Sequence, residues 1–152
     1  MAEKEDSVKM VDVSEKESVQ RYAEAVGDII LQSETINKIR NRTTKKGNVL
    51  AVSETAGILA AKKTSEIIPL CHQIPLTSVQ IGFEFSETRI HATCGVSAKY
   101  VTGVEMEALV GVTTALLSIW DMVKYLEKDS EGQYPNASLQ DIRVTMKRKN
   151  AE

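Results

Sequence analysis

Between Ala108 and Trp120 the chain carries no charged side chain, and its apolar residues crowd every side of a helix drawn through them. Leu109, Val112, Leu116, Ile119, Trp120 and Val123 follow the helical period, while Val110, Ala115, Leu117 and Met122 fill the remaining faces. The pattern predicts one long helix from Thr102 to Lys128, buried nearly all round. A single small domain seldom covers a helix so completely, so a second subunit is expected against it.

The charges of this stretch gather at its ends, Glu105 and Glu107 at the start and Asp121 and Lys124 near the finish. The helix macrodipole accounts for Glu105, Glu107 and Lys124. It does not account for Asp121, which follows Ile119-Trp120 where an aspartate is a poor helix former and costly to bury without a partner or a task. Lys124 is its i+3 neighbour, so the residues alone leave a structural ion pair and a chemical role both open. Glu107 and Asp121 stand 14 positions apart (121 − 107). At ~1.5 Å per residue this separates them by roughly 21 Å, within about 40° of one helical face. One small-molecule pocket in one chain cannot easily use both. If both act, a symmetric oligomer must bring the front of one helix to the back of another.

Elsewhere the sequence alternates by strand and helix periods. Val19, Arg21, Ala23 and Ala25 interleave with Gln20, Tyr22 and Glu24 before Ile29-Ile30-Leu31, which predicts a strand. Ser33 is the expected N-cap of a short helix over Glu34 to Arg40 that turns Ile36 and Ile39 inward. Lys45-Lys46-Gly47-Asn48 breaks that pattern. A second helix is expected from about Val49, with Val49, Val52, Ala56, Leu59 and Ala60 on its apolar stripe and Pro69 beyond its end. Prolines at 69 and 75 make the stretch between them extended and irregular. Neighbours there point to opposite sides, so Cys71 and His72 do not form a nucleophile and base pair. Val79–Phe85 and Arg89–Val96 alternate around Ser86-Glu87-Thr88 as a hairpin, with His91 beside Arg89 on its polar face and given no role. Ile142 to Lys147 is the last strand, with Leu139 leading into it. The order β-α-α-β-β-α-β predicts an α+β fold: a ferredoxin-like split βαβ antiparallel sheet with helices packed on one face.

The chain has 152 residues, suited to one domain. Residues 1–9 are expected to be a flexible N-terminal tail and 10–152 the domain itself. A formal net charge of −2 argues against nucleic acid as the main partner. The charged N-terminus and the lack of a long uninterrupted apolar run argue against a membrane, so a cytoplasmic location is expected. Cys71 and Cys94 form no CxxC pair, and neither a metal site nor a disulfide framework is indicated. No glycine-rich phosphate loop is present. An anionic ligand would have to be held by converging lysine and arginine charges. Lysines beside carboxylates and a histidine suit acid and base chemistry on a phosphorylated small molecule. Clustering would then lower a lysine pKa, and burial would raise a carboxylate's.

The stretches MVDVSEK (10–16), AGILAAKKTSEIIPLCH (56–72), TGVEMEAL (102–109) and WDMVK (120–124) resemble the cyclic pyranopterin monophosphate synthase family of molybdenum cofactor biosynthesis. The resemblance runs from about Met10 to Lys147. It implies a single catalytic domain that converts 3′,8-cyclo-7,8-dihydro-GTP to cyclic pyranopterin monophosphate and releases pyrophosphate, a lyase reaction. It also implies a homo-hexamer, a trimer of dimers with interface pockets. On the matching motifs, Asp121 and Lys46 are the acid/base pair with Lys124 beside them. Leu70, Cys71, His72, Met106 and Glu107 fall on substrate-binding segments, Glu105, Lys62 and Lys147 match polar pocket positions, and Arg21 contributes a phosphate contact. No obligatory cofactor is implied, and Mg²⁺ is the candidate companion of the phosphates. Gln73 and Glu54 depart from the family pattern, as does the stretch after Lys147, which lacks the glycine-rich tail common there. The rival reading is a non-catalytic oligomeric module that binds a nucleotide or pterin as a regulator.

Overall fold

The computed structural model describes residues 6–150. Its elements run β1 (Val19–Ile30), α1 (Ser33–Arg40), α2 (Val49–Lys62), α3 (Thr64–Ile67), β2 (Leu76–Phe85), β3 (Arg89–Tyr100), α4 (Glu105–Glu127) and β4 (Ser138–Lys149). The strands form one sheet in the order β2-β3-β1-β4, with every neighbouring pair antiparallel. That is the split βαβ arrangement expected from the sequence, with the helices on one face.

Strand alternation decides which face the helices cover. Ala23, Ala25 and Ile29 of β1 and Ile90, Ala92, Cys94, Val96 and Ala98 of β3 are fully buried, and their small side chains let α4 lie close to the sheet. Val112, Leu116, Ile119 and Val123 of α4 complete this core. By length and composition α4 could cross a membrane, yet its apolar face is spent on the sheet and on α2. At the outer edge, β4 departs from regular pairing where Asp141, with φ 56°, sits in a bulge opposite β1.

The helix α2 runs antiparallel to α4 at glycine-to-glycine distance. A Cβ on Gly57 would lie 2.8 Å from the Gly111 carbonyl oxygen and 3.1 Å from Ala115 Cβ, and one on Gly111 would lie 2.7 Å from Cys94 Sγ. Only glycine fits at either place. This contact also corrects the apolar stripe expected for α2: Ser53, Gly57, Ala60 and Ala61 face inward, while Val52 is 46% exposed and Leu59 51%. Close packing selected the small residues rather than the largest apolar ones.

Three further expectations change. Ser33 is the first residue of α1 rather than its cap, and Gln32 holds the cap position without a side-chain bond. The buried Glu127 carboxylate, at the far end of α4, takes the capping role. It accepts the Gln32 N–H at 3.2 and 3.3 Å and the Thr35 hydroxyl. The short helix α3 was not expected at all. Finally, α4 is not covered all round within one chain, because Leu117 is 53% exposed beside partly open Val110, Thr113 and Thr114. Of the expected tail over residues 1–9, residues 6–9 carry no helix or strand and the rest lies outside the described residues.

Replacing Gly57 by alanine forces the Gly111 backbone or Ile81 to move. Chemical denaturation is expected to show a loss of about 1–3 kcal/mol with an unchanged m-value.

Candidate active site

The expected site residues divide between the two ends of α4. Because α2 is antiparallel to α4, its start lies near the end of α4 and its finish near the beginning. Each end therefore receives a lysine from the α2 region: Lys46 just before α2 and Lys62 in its last turn.

At the C-terminal end, Asp121 is gripped by two cations. Lys124 Nζ lies 2.9 Å from Oδ1, one helical turn away, and Lys46 Nζ lies 3.4 Å from Oδ2. Lys46 also donates to the Asp121 backbone carbonyl at 3.2 Å. Its loop is fixed by a tight turn in which Gly47 adopts φ 101° and the Thr44 hydroxyl donates to the Gly47 carbonyl at 2.7 Å. The cluster faces solvent, with the Asp121 side chain 61% exposed. Hydrogen bonding to Lys124, then to Lys46, holds the Asp121 carboxyl below its ordinary range, and Asp121 in turn raises Lys124. The sequence-based idea that clustering would lower a lysine pKa is thus reversed at Lys124. Two cations beside one carboxylate favour its ionised form.

At the N-terminal end the electrostatics run the other way. Glu107 is 3% exposed, and burial pushes its carboxyl up, with help from the nearby Glu105 charge. Glu105 Oε1 accepts from Lys147 Nζ at 3.2 Å, while its buried Oε2 has no hydrogen-bond partner. Cys71 lies near both glutamates, and burial followed by their charges raises its thiol. It therefore stays a neutral thiol rather than a nucleophile. Leu70 and Cys71 sit on a turn closed by the Cys71 N–H to Ile68 carbonyl bond at 3.1 Å, so this segment is bent where an extended run was expected. His72 bonds through Nε2 to the carbonyl of Val11, which brings the MVDVSEK stretch to the site. Met106 is half-buried in the first turn of α4. Lys62 lines a cavity of about 410 Å³ with Gln73, Ile74, Pro75 and Leu76.

Arg21 lies at the same end, but its guanidinium is engaged. It donates to the carbonyls of Tyr100 at 3.5 Å and Val101 at 3.1 Å, fastening the segment that leads into α4. The structure therefore brings Asp121, Lys46 and Lys124 together, and separately Cys71, Glu105, Glu107 and Lys147. It does not join the two groups within one chain. Among the described residues no three His, Cys, Asp or Glu side chains converge to hold a metal ion. A Mg²⁺ ion carried by substrate phosphates needs no such cluster.

Sequence reasoning also passed over a polar cluster on the opposite face of the sheet. Asp28, buried on β1, binds His91 Nδ1 at 2.8 Å and Arg89 at 3.1 Å. With Glu84, Asp141 and Arg143 they line a cavity of about 490 Å³ that none of the expected site residues touches. Period-2 pairing of Asp28 with His91 across β1 and β3 was the signal that could have found it.

The model of the MoaC family matches residues 10–150 of the chain. A protein of Thermococcus kodakarensis named "Probable cyclic pyranopterin monophosphate synthase" is 60% identical over 97% of this chain and 95% of its own length. One of Pyrococcus abyssi with the same name is also 60% identical, over 94% and 90%. A relative from Methanothermobacter thermautotrophicus, 52% identical over 95% and 91%, is named "Probable cyclic pyranopterin monophosphate synthase accessory protein". With matches of this extent over the segments that build both ends of α4, the chain belongs to the MoaC family.

Proposed function

We propose that the protein is a cyclic pyranopterin monophosphate synthase, converting 3′,8-cyclo-7,8-dihydro-GTP to cyclic pyranopterin monophosphate with release of pyrophosphate. The observation that carries the chemistry is Asp121 held as a carboxylate between Lys46 and Lys124. A carboxylate fixed between two cations stays ionised beside the reacting groups, and the lysines offset charge that develops there. Glu107, whose protonated form burial favours, is the complementary donor at the other end of the pocket.

In this reading Asp121 and Lys46 move protons while water opens the dihydropurine ring. The ring recloses as the pyranopterin and returns that water. A sugar-derived hydroxyl then attacks the α-phosphorus, the bond to the β-phosphate oxygen breaks, and pyrophosphate leaves. Lys62 and Lys147 supply positive charge for the triphosphate, Arg21 holds the segment leading into α4, and Leu70, Cys71, His72 and Met106 border the base.

The pocket is composite, pairing the C-terminal end of α4 from one subunit with the N-terminal end from another. A hexamer built as a trimer of dimers supplies that pairing. Exposed Leu117 on α4 and the alternate residues Ile142 and Val144, which share one side of β4, support such contacts, since contiguous apolar surface marks an interaction site. We place the assembly in the cytoplasm. The rival reading, a binding module without turnover, draws on the relative named as an accessory protein.

Purified protein given the cyclic dihydro-GTP is expected to release pyrophosphate. Asp121→Asn and Lys46→Ala should each lower kcat by about 10²–10⁴-fold while calorimetry shows binding retained. Binding without pyrophosphate release by the wild type would favour the module.

Two pH measurements follow from the electrostatics. Lys124→Ala removes the largest influence holding the Asp121 carboxyl down, so the acidic limb of kcat/KM should move to higher pH. Glu107 has a folded-state pKa above its ordinary 4.5, so stability is lost as pH rises through the window above that value. Denaturation midpoints should fall across it in the wild type and stay flatter in Glu107→Gln.

A further inference from the structure

Lys46 reaches Asp121 from the connection between α1 and α2, a segment without regular structure. A lysine on such a loop is placed only as well as the loop is. The residue just before it is fastened twice to one tyrosine. The Lys45 N–H donates to the Tyr125 hydroxyl at 2.8 Å, and Lys45 Nζ lies 4.9 Å from the centre of the same ring.

Tyr125 stands four residues after Asp121 on α4, so both belong to one helical face a single turn apart. Consecutive loop residues, Lys45 and Lys46, therefore bind consecutive turns of the helix. On the other side of Lys46, Gly47 and Thr44 close the turn. The backbone of Lys46 is thus pinned before and after, at a place from which its ammonium reaches Asp121.

We propose that Tyr125 is the positioning residue for Lys46, its hydroxyl fixing the loop so that the ammonium meets Asp121. The catalytic meaning of this role rests on the synthase reading, but the geometry it describes is measurable without turnover. The tyrosine acts through the loop backbone, whereas Lys124 is placed by α4 itself. Loss of the hydroxyl should therefore weaken the Lys46 contact and leave the Lys124 contact in place.

The test uses full-length protein labelled with carbon-13 at the aspartate carboxyls, the Asp121 signal being assigned by its disappearance in Asp121→Asn. Lys46→Ala should raise the Asp121 titration midpoint. Tyr125→Phe should raise it in the same direction by less, and should add nothing when combined with Lys46→Ala. In the kinetic assay Tyr125→Phe should lower kcat roughly threefold to tenfold, the worth of one neutral hydrogen bond, and again cause no further loss on the Lys46→Ala background. Tyr125→Phe keeps the ring over Lys45 and removes no buried volume, which guards the fold. An Asp121 titration unchanged by Tyr125→Phe overturns the proposal. So does an equal loss with and without Lys46, the mark of a merely structural role. The carboxyl titration is read whether or not the wild type turns over, so its failure stays distinct from failure of the synthase reading.

Discussion

The close crossing of α2 and α4 at Gly57 and Gly111 is the contact on which the rest depends. It sets the two helices antiparallel at a distance that no other residue pair permits. The loop before α2 is thereby delivered to the C-terminal end of α4, and the last turn of α2 to its N-terminal end. Lys46 and Lys62 are carried to opposite poles of one helix by the same packing. The small residues facing α4 from β1 and β3 extend the principle to the sheet, where a core of Ala23, Ala25, Ala92 and Ala98 draws the helix down. Packing of this kind is what makes a lysine on a loop available to an aspartate many residues away in sequence.

The two ends of α4 are tuned in opposite electrical senses. Asp121 is exposed and flanked by cations, so it is held ionised. Glu107 is buried and has a second acid beside it, so its neutral form is favoured. Environment thus sets the two acids apart, one held ionised and the other drawn toward its neutral form, although the two side chains are alike in solution. The helix that carries both also keeps them far apart, at opposite ends of its 23 residues.

Much of the fold was legible in the sequence because its signals are local. Alternation in β1, β2 and β3 and the uncharged run of α4 gave the element order and the sheet directly. The errors came where distant residues decided the outcome. Glu127 replaced Ser33 as the cap of α1 because its carboxylate arrives from the far end of α4. The stripe of α2 shifted because Gly57 faces Gly111, a preference for small size that apolar periodicity does not register. In the site, the i+3 spacing of Asp121 and Lys124 left an ion pair between them as one of two open readings, and the roughly 21 Å rise separated Glu107 from them. That Lys46 joins Asp121 was implied by family resemblance alone. The loop geometry behind it, including Tyr125, leaves no periodic trace. The raised pKa of Lys124 runs against the expectation for clustered lysines because Lys46 and Lys124 are not a group of cations alone: both contact Asp121.

The measurement that most directly tests a pocket shared between the two ends of α4 is subunit complementation. Asp121→Asn and Glu107→Gln protomers, each inactive alone, would be mixed by co-refolding and the mixed assemblies isolated by differential tags. If one subunit supplies Asp121 and its neighbour Glu107, equal mixing restores an intact pocket in roughly a quarter of cases, with pyrophosphate release recovering to that level. Mixed assemblies that remain as inactive as their parents would contradict the account, because both carboxyl groups would then have to act from the same chain.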